Sequence, residues 1–107
     1  MKKLHIAIST NDIDKTIEDY SNRIGVKPCA IVKGVYALWR TDSLNISIRH
    51  DLKCKPGELR HLGWEDPLAN EFSIDTDVNG ILWERFSAKQ QAVEINETWP
   101  GTNYEPK

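Results

Sequence analysis

Two stretches of this chain repeat one another. Leu4-His5-Ile6-Ala7-Ile8 and Arg60-His61-Leu62-Gly63-Trp64 share one order: histidine, apolar, small, apolar. In an extended chain side chains alternate between faces, so His5 lies with Ala7 and His61 with Gly63. The small neighbours leave room around each ring. An internal repeat that also repeats a histidine is the sequence sign of a pseudo-twofold architecture. Few other features narrow the possible folds as far.

The chain around these strands divides accordingly. After the first strand, Asn11-Asp12 offers an N-cap, and Ile13, Ile17, Tyr20 and Ile24 recur at helical spacing until Gly25. The spacing predicts a helix over 12–24. Strands are predicted over 29–33, 36–41 and 44–50; in the last, Leu44, Ile46 and Ile48 oppose Asn45, Ser47 and Arg49. Residues 1–51 thus read as a βαβββ module. Leu52–Glu58, with Pro56-Gly57, is a polar linker. The second copy, 59–86, is shortened: Asp66-Pro67 leads to a strand over 71–74 with no helix between. Ser87 and Gln90 then form a capping box for a C-terminal helix over 87–99, with Ala88, Ala92, Ile95 and Trp99 as its apolar stripe. Residues 102–107 read as a loose tail. The fold expected is α+β, a curved and mostly antiparallel sheet with two helices in one domain.

The stretch that closes the second copy, Ile74–Phe86, carries the chemistry. Asn79-Gly80 predicts a hairpin with a tight primed turn, since both residues tolerate positive φ. In the strand that follows, Leu82, Glu84 and Phe86 share a face. A carboxylate between two large hydrophobes is costly to bury unless it is paired or coordinates a metal. His5 and His61 are candidate partners; a pairing with Arg60 or Arg40 would need no metal.

Bulk properties exclude some functions. Fourteen basic residues against sixteen acidic ones, with no basic run, argue against nucleic acid or an anionic membrane as the main partner. The apolar run after the first lysines is too short for a signal peptide, and no stretch is long enough to span a bilayer. Cys29 and Cys54 form no CxxC motif, consistent with reduced thiols in a cytoplasmic protein. The four tryptophans suit core and interface filling better than a platform for bases.

Three stretches resemble the vicinal oxygen chelate superfamily, the glyoxalase/bleomycin-resistance/extradiol dioxygenase fold. They are Leu4–Ile8 with the helix ending at Gly25, Leu59–Gly63, and Asp75–Phe86. The last is similar to the family's closing Asp-Pro-Asp-Gly-Asn-x-Trp-Glu motif. Leu44-Asn45 and His61-Leu62-Gly63 most resemble the cadmium-induced and arsenic-inducible branch. That branch's adjacent cysteine pair is absent here, so arsenic chemistry by its route is not expected.

The resemblance implies metal ligands at His5, His61 and Glu84. No Asp, Glu or His lies between Ser43 and Arg49, where a fourth ligand would come. A two-histidine, one-carboxylate set suits Fe(II) or Mn(II), with Zn or Ni as further candidates. The function implied is a dioxygenase or lyase acting on a small oxygen-bearing substrate. The alternative is a non-catalytic small-molecule binding or resistance protein of the same fold, without metal. Glu65 shares parity with His61 and is the one candidate general base. Tyr36, Arg40 and Arg49 could position an anion, though alternation does not set their face relative to His5. His50, at a strand end, reads as solvent-exposed. The shortened second module, with an open strand edge, suggests a homodimer.

Overall fold

The computed structural model describes residues 1–107, with nine elements between Lys3 and Thr98. These are β1 (Lys3–Thr10), α1 (Ile13–Ile24), β2 (Ala30–Val32), β3 (Tyr36–Arg40), β4 (Leu44–His50), β5 (Leu59–Glu65), β6 (Ser73–Thr76), β7 (Leu82–Phe86) and α2 (Ala88–Thr98). The fold is α+β. All seven strands join one open sheet in the order β2-β3-β4-β1-β5-β7-β6.

The pairing pattern carries the repeat. β1 runs parallel to β4 and β5 runs parallel to β7, while β1 and β5 meet antiparallel between them. β3 returns antiparallel on β4, and β6 does the same on β7. The second copy therefore keeps three strands in the first copy's arrangement and lacks the counterparts of β2 and α1. The two histidines, one from each copy, face each other across the central seam, because His5 aligns with Gly63 and Ala7 with His61.

Alternation sends the two faces of the first copy to different helices. On one face Ala37, Trp39 and Ile48 are fully buried and pack with Ile13, Ile17, Tyr20 and Ile24 of α1. Asp12 caps that helix by accepting from the Lys15 amide, and Gly25 ends it at φ 88°, where an L side chain is strained. On the other face Ala30, Tyr36 and Leu38 pack with Ala92 and Ile95 of α2. α2 begins with the expected reciprocal capping box between Ser87 and Gln90. The helix that closes the chain thus lies on the sheet face that carries both histidines.

Two local expectations are corrected. The β6–β7 hairpin exists, but it is not a two-residue primed turn: the strands end at Thr76 and resume at Leu82, and only Gly80 takes positive φ. Asp77 organises this longer loop. Its carboxylate accepts from the amides of Asn79 and Ile81 and from the Trp83 indole, which leaves Asn79 no need for a left-handed conformation. The tail after α2 is not loose either. Asn96 clamps Tyr104 in both directions, donating to its carbonyl at 2.9 Å and accepting from its amide at 2.8 Å. Tyr104 is thereby buried against Tyr36 and Leu38. An amide eight residues before a tyrosine leaves no periodic trace in a sequence.

Gly63 has a packing duty that its neighbour His61 depends on. A Cβ built there collides with the Glu84 carbonyl oxygen and stands 3.1 Å from the Glu84 nitrogen, so β5 and β7 approach this closely only over a glycine. Gly63→Ala is expected to cost about 1–3 kcal/mol, as overpacked core positions do. The check is urea unfolding, where the midpoint should fall with the slope unchanged.

Candidate metal centre

The structure brings His5, His61 and Glu84 together, each from a different strand of the central group. His5 Nε2 lies 3.0 Å from His61 Nε2, and His61 Nε2 lies 2.9 Å from Glu84 Oε1. The third edge, His5 Nε2 to Glu84 Oε1, is 3.9 Å. All three side chains are largely shielded, Glu84 being the most open at 14%. Glu84 does not pair with either arginine that a metal-free arrangement would call on.

The proton on His5 is assigned by its partners. Nδ1 stands 3.2 Å from the Asn45 backbone carbonyl and 2.8 Å from Asn45 Oδ1. A carbonyl only accepts, so Nδ1 carries the hydrogen and Nε2 turns a lone pair toward His61 and Glu84. Burial holds His5 below the ordinary imidazole pKa of 6.5, against the pull of the Asn45 hydrogen bond, and His61 adds to the lowering. The ring is therefore neutral, as a metal ligand must be. One proton on His61 Nε2, donated to Glu84, completes the network when no ion is present.

Asn45 itself, with no exposure, has every hydrogen-bonding position filled. Its Nδ2 donates to Glu65 Oε1 at 2.9 Å and to Gln91 Oε1 at 2.7 Å. Its Oδ1 accepts from His5 and from Gln91 Nε2 at 3.2 Å. Glu65, an acceptor only, decides which way the amide points. Arg40 in turn grips Glu65 through two bonds of 2.7 and 2.9 Å. A line of fixed contacts thus runs Arg40–Glu65–Asn45–His5.

That line corrects the expectation for Glu65. It does share a face with His61, yet both carboxylate oxygens are occupied and it does not touch the cluster, so it positions His5 through Asn45 rather than acting as a base. Burial alone would raise its pKa above 4.5, but the Arg40 and Asn45 hydrogen bonds outweigh this and hold it lower. Two further expectations resolve. Tyr36, Arg40 and Arg49 do share the His5 face, as the β3–β4 and β1–β4 registers require, but only Tyr36 and Arg49 border the site. His50 is half-buried rather than solvent-exposed, with a shielded Nδ1 that has no partner, and it takes no part in the cluster.

Around the three residues is a cavity of about 40 Å³, bordered by Tyr36, Ser47, Arg49, Arg60 and Phe86 of the sheet, by Phe72 just before β6, and by Gln91, Glu94, Ile95, Thr98 and Trp99 from α2 and its end. Glu94 stands largely exposed at the rim, where partial desolvation and then Glu84 push its carboxyl above the ordinary range. Sequence reasoning missed Gln91 and Glu94, and named Arg60 only as a pairing partner for Glu84, not as a residue of the cavity. Gln91 had a signal, a polar residue on the apolar stripe between Ala88 and Ile95; Glu94 had none.

Comparison with known proteins bears on the fold alone. No protein-family model matches the chain, and no curated protein matches it. Among solved structures, it is similar to a chain described as NAD-dependent benzaldehyde dehydrogenase from Legionella pneumophila. The superposition has a TM-score of 0.53 at 11% identity and covers 78% of this chain and 97% of that one. At such identity the likeness is one of architecture.

Because the Arg40 and Asn45 bonds to the ionised Glu65 exist only in the folded protein, its contribution is full above pH 4.5 and is lost as pH falls through its lower folded pKa. Glu65→Gln should cost about 3 kcal/mol at pH 7, since it leaves Arg40 without its counter-charge. The difference from wild type should shrink as the pH is lowered below 4.5. Denaturant melts across pH read both effects.

Proposed function

We propose that this chain is a small metal-dependent enzyme with a vicinal-oxygen-chelate fold, in which His5, His61 and Glu84 hold one divalent ion. The observation that carries the reading is the convergence of three ligand atoms with the His5 proton directed away from them by Asn45. A ligating imidazole that donates its other nitrogen to a fixed acceptor is the usual arrangement in metal sites.

The donor set fits such an ion. With ligand bonds of about 2.1 Å, neighbouring donors on an octahedral ion stand about 3.0 Å apart and opposite ones about 4.2 Å. Two edges, 3.0 and 2.9 Å, match neighbouring positions, and the third, 3.9 Å, is longer than a neighbouring pair and shorter than an opposite one. Two neutral imidazoles and one carboxylate leave coordination positions free, which suits Fe(II) or Mn(II) and accommodates Zn or Ni. A bound ion would act as a Lewis acid on the oxygens of a small substrate.

The protein's own groups supply the rest. Asn45 keeps His5 in the ligating tautomer, Glu65 and Arg40 hold Asn45, and α2 shields the site from bulk water. A dioxygenase or lyase reaction agrees with this three-ligand arrangement better than an isomerisation that needs a fourth protein ligand. The alternative of a binding protein that sequesters an aromatic compound is disfavoured by the size of the cavity. About 40 Å³ is far below the several hundred that such a ligand needs.

Metal content measured by mass spectrometry tests the reading. Untagged protein purified without chelator, or reconstituted anaerobically with Fe(II) or Mn(II), should hold about one ion per chain. Glu84→Gln should lose it while remaining folded by circular dichroism. No ion in the wild type after reconstitution would overturn the proposal.

A further inference from the structure

The chain has five arginines, and three are committed to carboxylates. Arg23 pairs with Asp19 at 3.0 Å, Arg40 with Glu65 at 2.7 Å and Arg85 with Asp66 at 2.9 Å. Arg49 and Arg60 differ from these. Neither guanidinium has a carboxylate within 4.0 Å, and neither donates a side-chain hydrogen bond. Both border the cavity that holds His5, His61 and Glu84.

Separate devices bring them there. Arg49 follows from alternation, being two residues beyond Ser47 on the same face of β4, and its guanidinium lies over the Trp99 ring at 4.9 Å. Arg60 arrives against alternation. Strict alternation would send it to the opposite side of the sheet from His61. The β1–β5 register slips here: Ala7 aligns with His61 but Ile8 with Leu59, leaving Arg60 as an extra, unpaired residue. Such bulges re-aim side chains and recur beside functional sites. The result is two like charges on one small cavity with no counter-ion in contact.

We propose that Arg49 and Arg60 form an anion subsite beside the His5–His61–Glu84 cluster, taking a planar oxyanion the size of formate, acetate or bicarbonate. A guanidinium presents a rigid planar fork of N–H donors that matches two oxygens of such an anion. The size limit comes from the cavity. At about 10–15 Å³ for each water-sized centre, a cavity of about 40 Å³ holds roughly three such groups, too few for an aromatic acid. This extends the proposed function by naming the substrate's chemical class, and as a substrate site it rests on that reading. The arginine pair itself is present with or without a metal.

The test uses the full-length protein labelled with ¹⁵N, titrated with sodium formate at constant ionic strength while the arginine Nε–Hε resonances are followed. Arg49 and Arg60 should shift together and saturate with one dissociation constant, while Arg23 and Arg85 stay in place. Arg60→Gln should weaken binding at least tenfold; Arg60→Lys, which keeps the charge but not the fork, should weaken it less. If Arg60→Gln fails to fold, Arg49→Gln, which removes the other half of the pair, is read in its place. Benzoate should produce no saturable shift.

No saturable response to formate up to about 100 mM, or equal shifts at all five arginines, would overturn the subsite. Repeating the titration on metal-depleted and metal-loaded protein keeps the two readings apart. A saturable arginine response in a protein that binds no ion supports the subsite while the metal reading falls. Stoichiometric ion without that response removes the subsite and leaves the metal reading standing.

Discussion

The four-way saturation of Asn45 is the contact on which the rest of the structure depends. A buried primary amide has two donors and two acceptor positions, and each one left unmade costs about 1–3 kcal/mol. Here all four are met by three residues from three different elements, His5 on β1, Glu65 on β5 and Gln91, twice, on α2, while Arg40 on β3 holds Glu65 in turn. Hydrophobic packing alone would tolerate several placements of α2 on the Tyr36–Leu38 surface. The reciprocal amide pair between Asn45 and Gln91 tolerates one. The helix position, the orientation of the central histidine and the burial of the Arg40–Glu65 pair therefore have a single geometric cause.

Much of this was legible in the sequence because it depends on local period. Alternation places His5 with Ala7, His61 with Gly63 and Glu84 with Phe86, and the folded sheet keeps each pairing of faces. Helical spacing and caps locate both helices to within a residue or two. The features that escaped depend on distant partners or on breaks in the period. Glu65 has the parity expected of it, but its fate is decided by Arg40, twenty-five residues away. Arg60 escapes because a bulge belongs to a pair of strands and leaves no mark on either one alone. The Asp77 loop misled in another way: its Asn-Gly dipeptide is a genuine turn signal, but the carboxylate two residues earlier chose a longer turn.

The proposed chemistry is consistent with this division. Each ligand candidate stands on a strand, where the backbone ladder sets its position to a fraction of an ångström, and the outer contacts lock its rotamer. Loops contribute almost nothing to the site. The groups that border it from outside the sheet all belong to α2 and its end, apart from Phe72, so the shape of the cavity is governed by the seating of one helix rather than by a set of mobile segments.

The absent helix of the second copy falls on the side of the sheet away from the histidines. There the side chains that a helix would have covered remain partly open, and Trp64 and Trp83 lie 6.5 Å apart with Lys2 across the outer ring. A sheet one residue thick works as a partition: what is removed from one side need not be felt on the other. The second copy lacks a helix and a strand that the first copy has, yet the residues that converge at the centre are held from the covered side. The middle of the repeat does not need those elements, because its two halves meet edge to edge, β1 against β5.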